Sequence, residues 1–253
     1  MQAGTQALMM MVMKSGRELC EVLGEQQMAE RCGECYERMQ AASSAVCERY
    51  FKTAQEPTAP GSKQGASLLA LAGALDAKKA NDEVVAVEGA RGFSTFYGYY
   101  MLEAMAKAGN YEGAMQVIRD FWGGMLDMGA TTFWEDFNID WIDGAAPIDA
   151  IVPEGKKDIH GDFGAYCYVG FRHSLCHGWA SGPTSWLSRH VLGVEVVEPG
   201  CKVVRISPNL GDLEWAEGSF PTPYGDIKLS HKRGADGKII SKIDAPKGVK
   251  VIK

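Results

Sequence analysis

The chain has 253 residues, enough for one large domain or a medium domain with a small companion. Its 46% hydrophobic and 23% charged residues are ordinary for a globular protein. A formal net charge of -6 disfavours a general nucleic-acid-binding role, which needs clustered Lys and Arg, and leaves neutral or acidic carbohydrate ligands open.

Residues 3–23 read as a helix rich in Met, Leu and Val, ending near Gly24. Its run Leu8-Met9-Met10-Met11-Val12-Met13 is far shorter than the ~20 residues that span a bilayer, so no membrane role is expected. No basic residues precede it and no cleavage site follows, so it is not read as a signal peptide, and the compartment is cytoplasmic if the start is genuine. Residue 1 enters this helix without a cap or leader, so the fold is expected to begin upstream of the chain. Residues 25–52 form a second helix, with Met28, Cys32, Cys35, Met39, Ala42, Val46 and Tyr50 spaced by three and four. The two prolines of Gln55–Ser62 stop it.

A short apolar helix is expected from Gln64 to about Leu75, then a polar turn at Lys78–Glu83. The loop Gly89–Phe96 enters a helix from about Thr95 to Ala108, and Gly109-Asn110 turns the chain into another over Tyr111–Leu126. So short a connection predicts an antiparallel hairpin. An irregular stretch follows from Asp127 to about Gly164, longer than the ~12–15 residues usual for an unstructured connection. Helical character resumes over 165–192. Beyond Gly193 come six short β-prone runs separated by Pro- and Gly-containing turns. The chain is therefore mainly α with a C-terminal antiparallel β-unit, divided into residues 1–193 and 194–253.

The chemistry concentrates in Gly129-Ala130-Thr131-Thr132-Phe133-Trp134-Glu135-Asp136-Phe137, with Trp141 and Asp143 close behind. Glycoside hydrolysis needs two carboxyl groups flanking the scissile bond. Neighbouring aromatic rings shield apolar sugar faces and raise a carboxyl pKa by desolvation. Glu135 is thus a candidate catalytic carboxylate. The same pattern also fits a helix start, with Thr131 or Thr132 as cap and Glu135 closing a capping box. Asp136 and Asp162 can hold sugar hydroxyls, whereas Asp140 and Asp143 read as loop solubilisers.

His160, His173 and His177 raise the question of a metal. On a helix His173 and His177 would share one face, but no third ligand is specified, and no metal is assigned. His177, beside Trp179, reads better as a sugar contact. Cys32-Gly33-Glu34-Cys35 is a lone CxxC in a helical pattern and reads as idle or core thiols. The seven scattered cysteines fit free thiols in a reducing compartment. If 165–192 is helical, Cys176 and His177 point about 100° apart and cannot form a nucleophile pair. No phosphate-cradling glycine loop is present, and no cofactor is expected.

Three features together resemble a known family. Gly129–Glu135 matches the G-A-T-T-x-W-E element of family 78 glycoside hydrolases, the α-L-rhamnosidases. Ser174-Leu175-Cys176-His177 is similar to their S-L-N-H segment, with Cys176 in place of Asn. Glu198-Pro199-Gly200, Arg205-Ile206-Ser207-Pro208 and Pro223-Tyr224-Gly225-Asp226-Ile227 follow the closing pattern. The similarity covers roughly residues 85–232.

The resemblance implies an (α/α)6 barrel for the helical part and a β-sandwich after it. It implies an inverting enzyme acting on terminal α-L-rhamnosyl residues of a rhamnose-containing glycoside. Glu135 is then the general base and His177 a sugar contact. Trp134, Trp141, Trp179 and Asp136 complete the binding surface, the aromatic rings suiting the 6-deoxy methyl of rhamnose. The family's general acid lies in an upstream D-E-R-x-G-W-like segment that Asp82-Glu83 does not match. The chain is therefore expected to be a C-terminal part that is weakly active or inactive alone. It would self-associate or pair with a missing N-terminal half. Two alternatives stand beside it: a non-catalytic carbohydrate-binding or assembly module, and a related six-hairpin enzyme acting on an acidic sugar through Arg91 and Arg172.

Overall fold

The computed structural model describes residues 2–53, 62–165 and 167–253. By their contacts they fall into two units, Met1–Ala180 and Ser181–Lys253.

The first unit opens with α1 (Gln2–Leu23) and α2 (Gln26–Thr53), joined at Gly24 and packed against each other as a hairpin. Ala7 and Met10 of α1 are buried with Cys47, Leu68, Leu69 and Ala72. The buried positions of α2 include Ala29, Gly33, Ser43 and Cys47, one residue round from the stripe that the sequence picks out. Small residues let the two helix backbones approach, so Met28 is left exposed and Cys32, Cys35 and Met39 half-buried. The break expected over residues 55–61 lies outside the described residues.

The helix α3 (Ser62–Leu71) is buried over most of its length and packs on α1 and on α5 (Gly98–Lys107). Between them, residues 77–85 are helical rather than a polar turn. Asp76 caps α4 (Ala77–Ala80), its Oδ1 accepting from the Lys79 N–H at 2.7 Å, and a π-helical turn continues over Asn81–Val85. Asn110 caps α6 (Tyr111–Val117) in the same way. A π-helical turn, Ile118–Trp122, joins α6 to α7 (Gly123–Asp127), so the helix expected over 111–126 is one helical run with a widened middle. Phe121, Trp122, Trp134 and Phe137 are buried, and edge-on ring contacts link Phe121 to Trp122, Phe121 to Phe137 and Trp134 to Phe137.

The long stretch after Asp127 holds a 3-10 turn, Ile139–Gly144, and a two-residue parallel pair, β1 (Ala145–Ala146) with β2 (Lys157–Asp158). The helix expected from 165 is absent until α8 (Gly182–Trp186) and the π-helical turn Leu187–Val191. Residues 167–181 are irregular apart from 3-10 turns at Gly170–Arg172 and Gly178–Ala180. Gly164 explains part of this. It has φ of 129° and a Cβ there would lie 2.1 Å from the Tyr168 carbonyl oxygen, so the chain folds back too tightly for a helix.

In the second unit, α8 and the turn after it group with six strands. Antiparallel pairing joins β3 (Val194–Val196) to β4 (Val203–Ile206). β5 (Trp215–Thr222), β6 (Gly225–Arg233) and β7 (Ile239–Asp244) form an antiparallel meander. The last strand, β8 (Lys250–Ile252), pairs with β4 in parallel, which corrects the all-antiparallel expectation. Val194, Val204 and Ile206 of one sheet share a core with Ile227 and Leu229 of the other. His231 is fully buried, its Nε2–H donating to the Leu192 carbonyl at 3.1 Å and its Nδ1 accepting from the Ser241 hydroxyl at 2.8 Å. Among the described residues, no helix is long and apolar enough to cross a membrane.

Candidate active site

Two segments far apart in the chain pair along their backbones. The Glu135 N–H donates to the Ser174 carbonyl at 2.8 Å, and the His177 N–H donates to the Phe133 carbonyl at 2.8 Å. The Thr132 hydroxyl closes the same seam on the Leu175 carbonyl. This pairing uses the backbone groups that a helix over 174–177 would need, and it rules out the capping-box reading of Thr131, Thr132 and Glu135.

Glu135 is held from four sides. Its Oε2 accepts the Ser174 N–H at 2.7 Å, and Oε1 lies 3.4 Å from His177 Nε2. Its carbonyl accepts the Thr95 hydroxyl and, at 2.9 Å, the Trp179 indole N–H. The Glu135 side chain is 14% exposed and that of His177 34%. The carboxylate is thus oriented by protein donors and keeps a small solvent exposure. The His177 and Trp179 rings lie 4.3 Å apart, and Trp179 also meets Phe96 at 5.4 Å and Tyr168 at 5.8 Å. Glu135, His177 and Trp179 therefore form one cluster.

Asp136 accepts the Ala165 N–H at 3.1 Å. Burial pushes its carboxyl above the usual range and the Glu135 charge adds to this, while the Ala165 amide and His173 pull the other way. His173 is buried, 2% exposed, with Nδ1–H donating to the Tyr168 carbonyl at 3.2 Å. Its carbonyl accepts from His160 Nε2 at 3.0 Å, and burial, then His160, hold the His173 imidazole below its ordinary pKa. The two histidines brace the turn that delivers the Ser174 amide. Among the described residues, no group of three or more His, Cys, Asp or Glu is arranged to hold a metal.

The remaining expected contacts lie elsewhere. Trp134 is 2% exposed and packs edge-on against Phe137, so it supports the loop from beneath. Trp141 stacks on Phe163 at 5.4 Å and 28° and is partly exposed. Asp162 serves a turn, accepting the Asp158 N–H at 2.8 Å. Asp140 pairs with Arg91 at 3.1 Å, which occupies one of the two basic residues that an acidic sugar would need. Thr95, Tyr168 and the Ser174 amide were not singled out from sequence. A main-chain donor leaves no residue-type signal, and Thr95 acts through a carbonyl.

The comparisons bear on the same elements. Residues 193–252 match the family model described as the bacterial alpha-L-rhamnosidase C-terminal domain. Over 133 residues the chain is 34% identical to an alpha-L-rhamnosidase of Alteromonas sp. (strain LOR), covering 52% of this chain and 12% of that protein. The matches are to the C-terminal part of family 78 α-L-rhamnosidases. Two solved structures share the fold. The family 78 rhamnosidase of Bacillus sp. GL1 aligns at a TM-score of 0.72 and 23% identity, over 96% of this chain and 25% of that one. The Streptomyces avermitilis α-L-rhamnosidase complexed with L-rhamnose aligns at 0.71 and 17% identity, over 97% and 22%. The chain thus spans 12% of the Alteromonas relative and 22–25% of these two structures.

Proposed function

We propose that this chain carries the general-base side of an inverting α-L-rhamnosidase site, with Glu135 as the base. The observation that supports it best is the partly exposed Glu135 carboxylate fixed through Oε2 on the Ser174 amide, with Oε1 facing His177. A water on Oε1 would lose its proton as it attacks the anomeric carbon of a terminal α-L-rhamnosyl residue. His177 and Trp179 would hold the sugar, with Trp141 and Asp136 at its margins. An inverting reaction also needs an acid, with the two carboxyls ~6.5–9.5 Å apart to admit water. Asp82 and Glu83 do not fit that role, being exposed, with Asp82 bound to Lys78 at 2.6 Å. General acid catalysis contributes about 10²–10⁴-fold, so the chain alone should turn over little or nothing. This chemistry calls for no cofactor or metal. In the wider architecture, residues 1–193 would belong to an (α/α)6 toroid and 194–253 to a β-sandwich.

Calorimetric titration with L-rhamnose, beside turnover of an aryl rhamnoside, tests this reading. Weak binding that Glu135→Gln alters, with little or no turnover, is expected. Release of rhamnose at an ordinary enzyme rate that Glu135→Gln leaves unchanged would overturn both the base and the missing acid. A second reading, an assembly module, draws on the exposed Met9, Val12, Leu19, Val22 and Leu23 of α1. Light scattering separates the two. Tight sugar binding by a clean inactive monomer would favour a binding module.

A further inference from the structure

The motif Cys32-Gly33-Glu34-Cys35 pairs two thiols by sequence, but the fold gives Cys32 a different neighbour. Its Sγ lies against α1 at Gly16, where an added Cβ would stand 3.4 Å away. Cys20 is one helical turn further along α1 on the face that packs against α2, so its thiol is the next α1 side chain beside that of Cys32. Cys35 is turned away from this pair. Its Sγ accepts from Arg38 Nη2 at 3.3 Å, and it lines an apolar groove with Met9, Met13 and Met39. All three cysteines are free and partly exposed.

We infer that Cys20 and Cys32 are an oxidisable pair that closes into a disulfide linking α1 to α2, and that the CxxC motif does not. A peroxide supplies the two-electron oxidation. One thiolate attacks a peroxide oxygen, giving a sulfenic acid and releasing hydroxide. The second thiol then attacks that sulfur, the S–S bond forms, and water leaves. Two thiols lose two electrons and two protons, and hydrogen peroxide becomes two waters. Burial and the neighbouring sulfur raise the Cys20 pKa, so the reaction speeds up as pH rises. The bond staples the N-terminal hairpin, whose own packing depends on small residues, and owes nothing to the rhamnosidase reading.

The test uses the whole chain under native conditions, treated with hydrogen peroxide, alkylated and cut with trypsin without reduction. Cleavage after Arg17, Arg31 and Arg38 separates residues 18–31, which hold Cys20, from residues 32–38, which hold Cys32 and Cys35. The expected product is these two peptides joined, present in Cys35→Ser and lost in Cys20→Ser and in Cys32→Ser. Peptide 32–38 found alone and two hydrogens light would show a Cys32–Cys35 bond and overturn the inference. Recovery of Cys20 and Cys32 as alkylated thiols or as separate sulfur acids would do the same. A parallel oxidation in denaturant should lose the preference, because the unfolded chain no longer holds the two sulfurs together.

Discussion

Glu135 and Ser174 exchange two hydrogen bonds: the Ser174 N–H donates to Oε2 at 2.7 Å, and the Glu135 N–H donates to the Ser174 carbonyl at 2.8 Å. The carboxylate is therefore aimed by a backbone group and not by the serine side chain. Ser174→Ala should leave L-rhamnose binding within about twofold. Ser174→Pro removes the donor, and a charged group left short of a partner costs on the order of 1–3 kcal/mol. A loss of binding of about five- to 150-fold is expected, read by calorimetry. Equal behaviour of the two variants would deny the amide its orienting part.

Trp134 and Trp179 stand two residues from Glu135 and His177 respectively at most, yet their substitutions should separate. Trp134→Ala empties a buried site and should lower unfolding free energy by about 3–5 kcal/mol in a denaturant titration. Trp179→Phe keeps a ring beside His177 but loses the indole bond to the Glu135 carbonyl, costing about 0.5–1.5 kcal/mol. A sugar-binding defect without a stability loss in Trp134→Ala would return that ring to the binding surface.

Gly98 opens α5 where Trp122 crosses it, and an added Cβ would lie 2.7 Å from the indole Cη2. Trp122 cannot easily swing aside, because its Nε1–H is bound to the Ala180 carbonyl at 2.8 Å. Gly98→Ala should destabilise by about 1–3 kcal/mol through overpacking, despite the better helix propensity of alanine. Thermal unfolding of the two proteins decides the sign.

Acid should loosen the β-unit through His231. Burial holds its folded pKa below the ordinary 6.5, so as pH falls the unfolded chain takes up the proton first. The stability linked to neutral His231 is full above about pH 6.5 and drains away as pH drops toward the folded value. Urea midpoints at pH 7.5 and 5.5 should diverge less in His231→Gln than in the parent.

Lys63 titrates in the opposite range. Only 1% exposed, its ammonium donates to the Val87 and Gly89 carbonyls at 2.7 Å each and lies over the Phe93 ring. Burial lowers its pKa from 10.5 to about 8. Between those values the unfolded chain keeps a proton that the folded chain has released, so stability should rise from pH 8 toward 10.5. Lys63→Met should flatten that rise.

How far the sequence could be read depends on where each segment finds its hydrogen-bond partners. α1 and α2 satisfy their own backbones, and period and breakers located them closely. The strands also emerged, because turns bracket them. The segment around Ser174–His177 misled because its partners, Phe133 and Glu135, lie about forty residues upstream and local pattern favoured a helix. The parallel β4–β8 pairing is hidden for the same reason. Glu135, His177 and Trp179 were legible by type, and the resemblance grouped them at one site, yet the backbone seam that joins their segments was not legible. That Trp134 is buried was hidden too, because burial leaves no mark on an aromatic residue.

The backbone seam between Phe133–Glu135 and Ser174–His177 closes the ends of everything from Asp136 to His173. That excursion is anchored at its base, so its middle can be lengthened, shortened or exchanged while the carboxylate and imidazole stay in register. Variation in the exposed region of Ala150–Lys156 would then leave the Glu135 and His177 backbones undisturbed. Segments of other lengths can therefore be grafted there with the anchoring pair untouched.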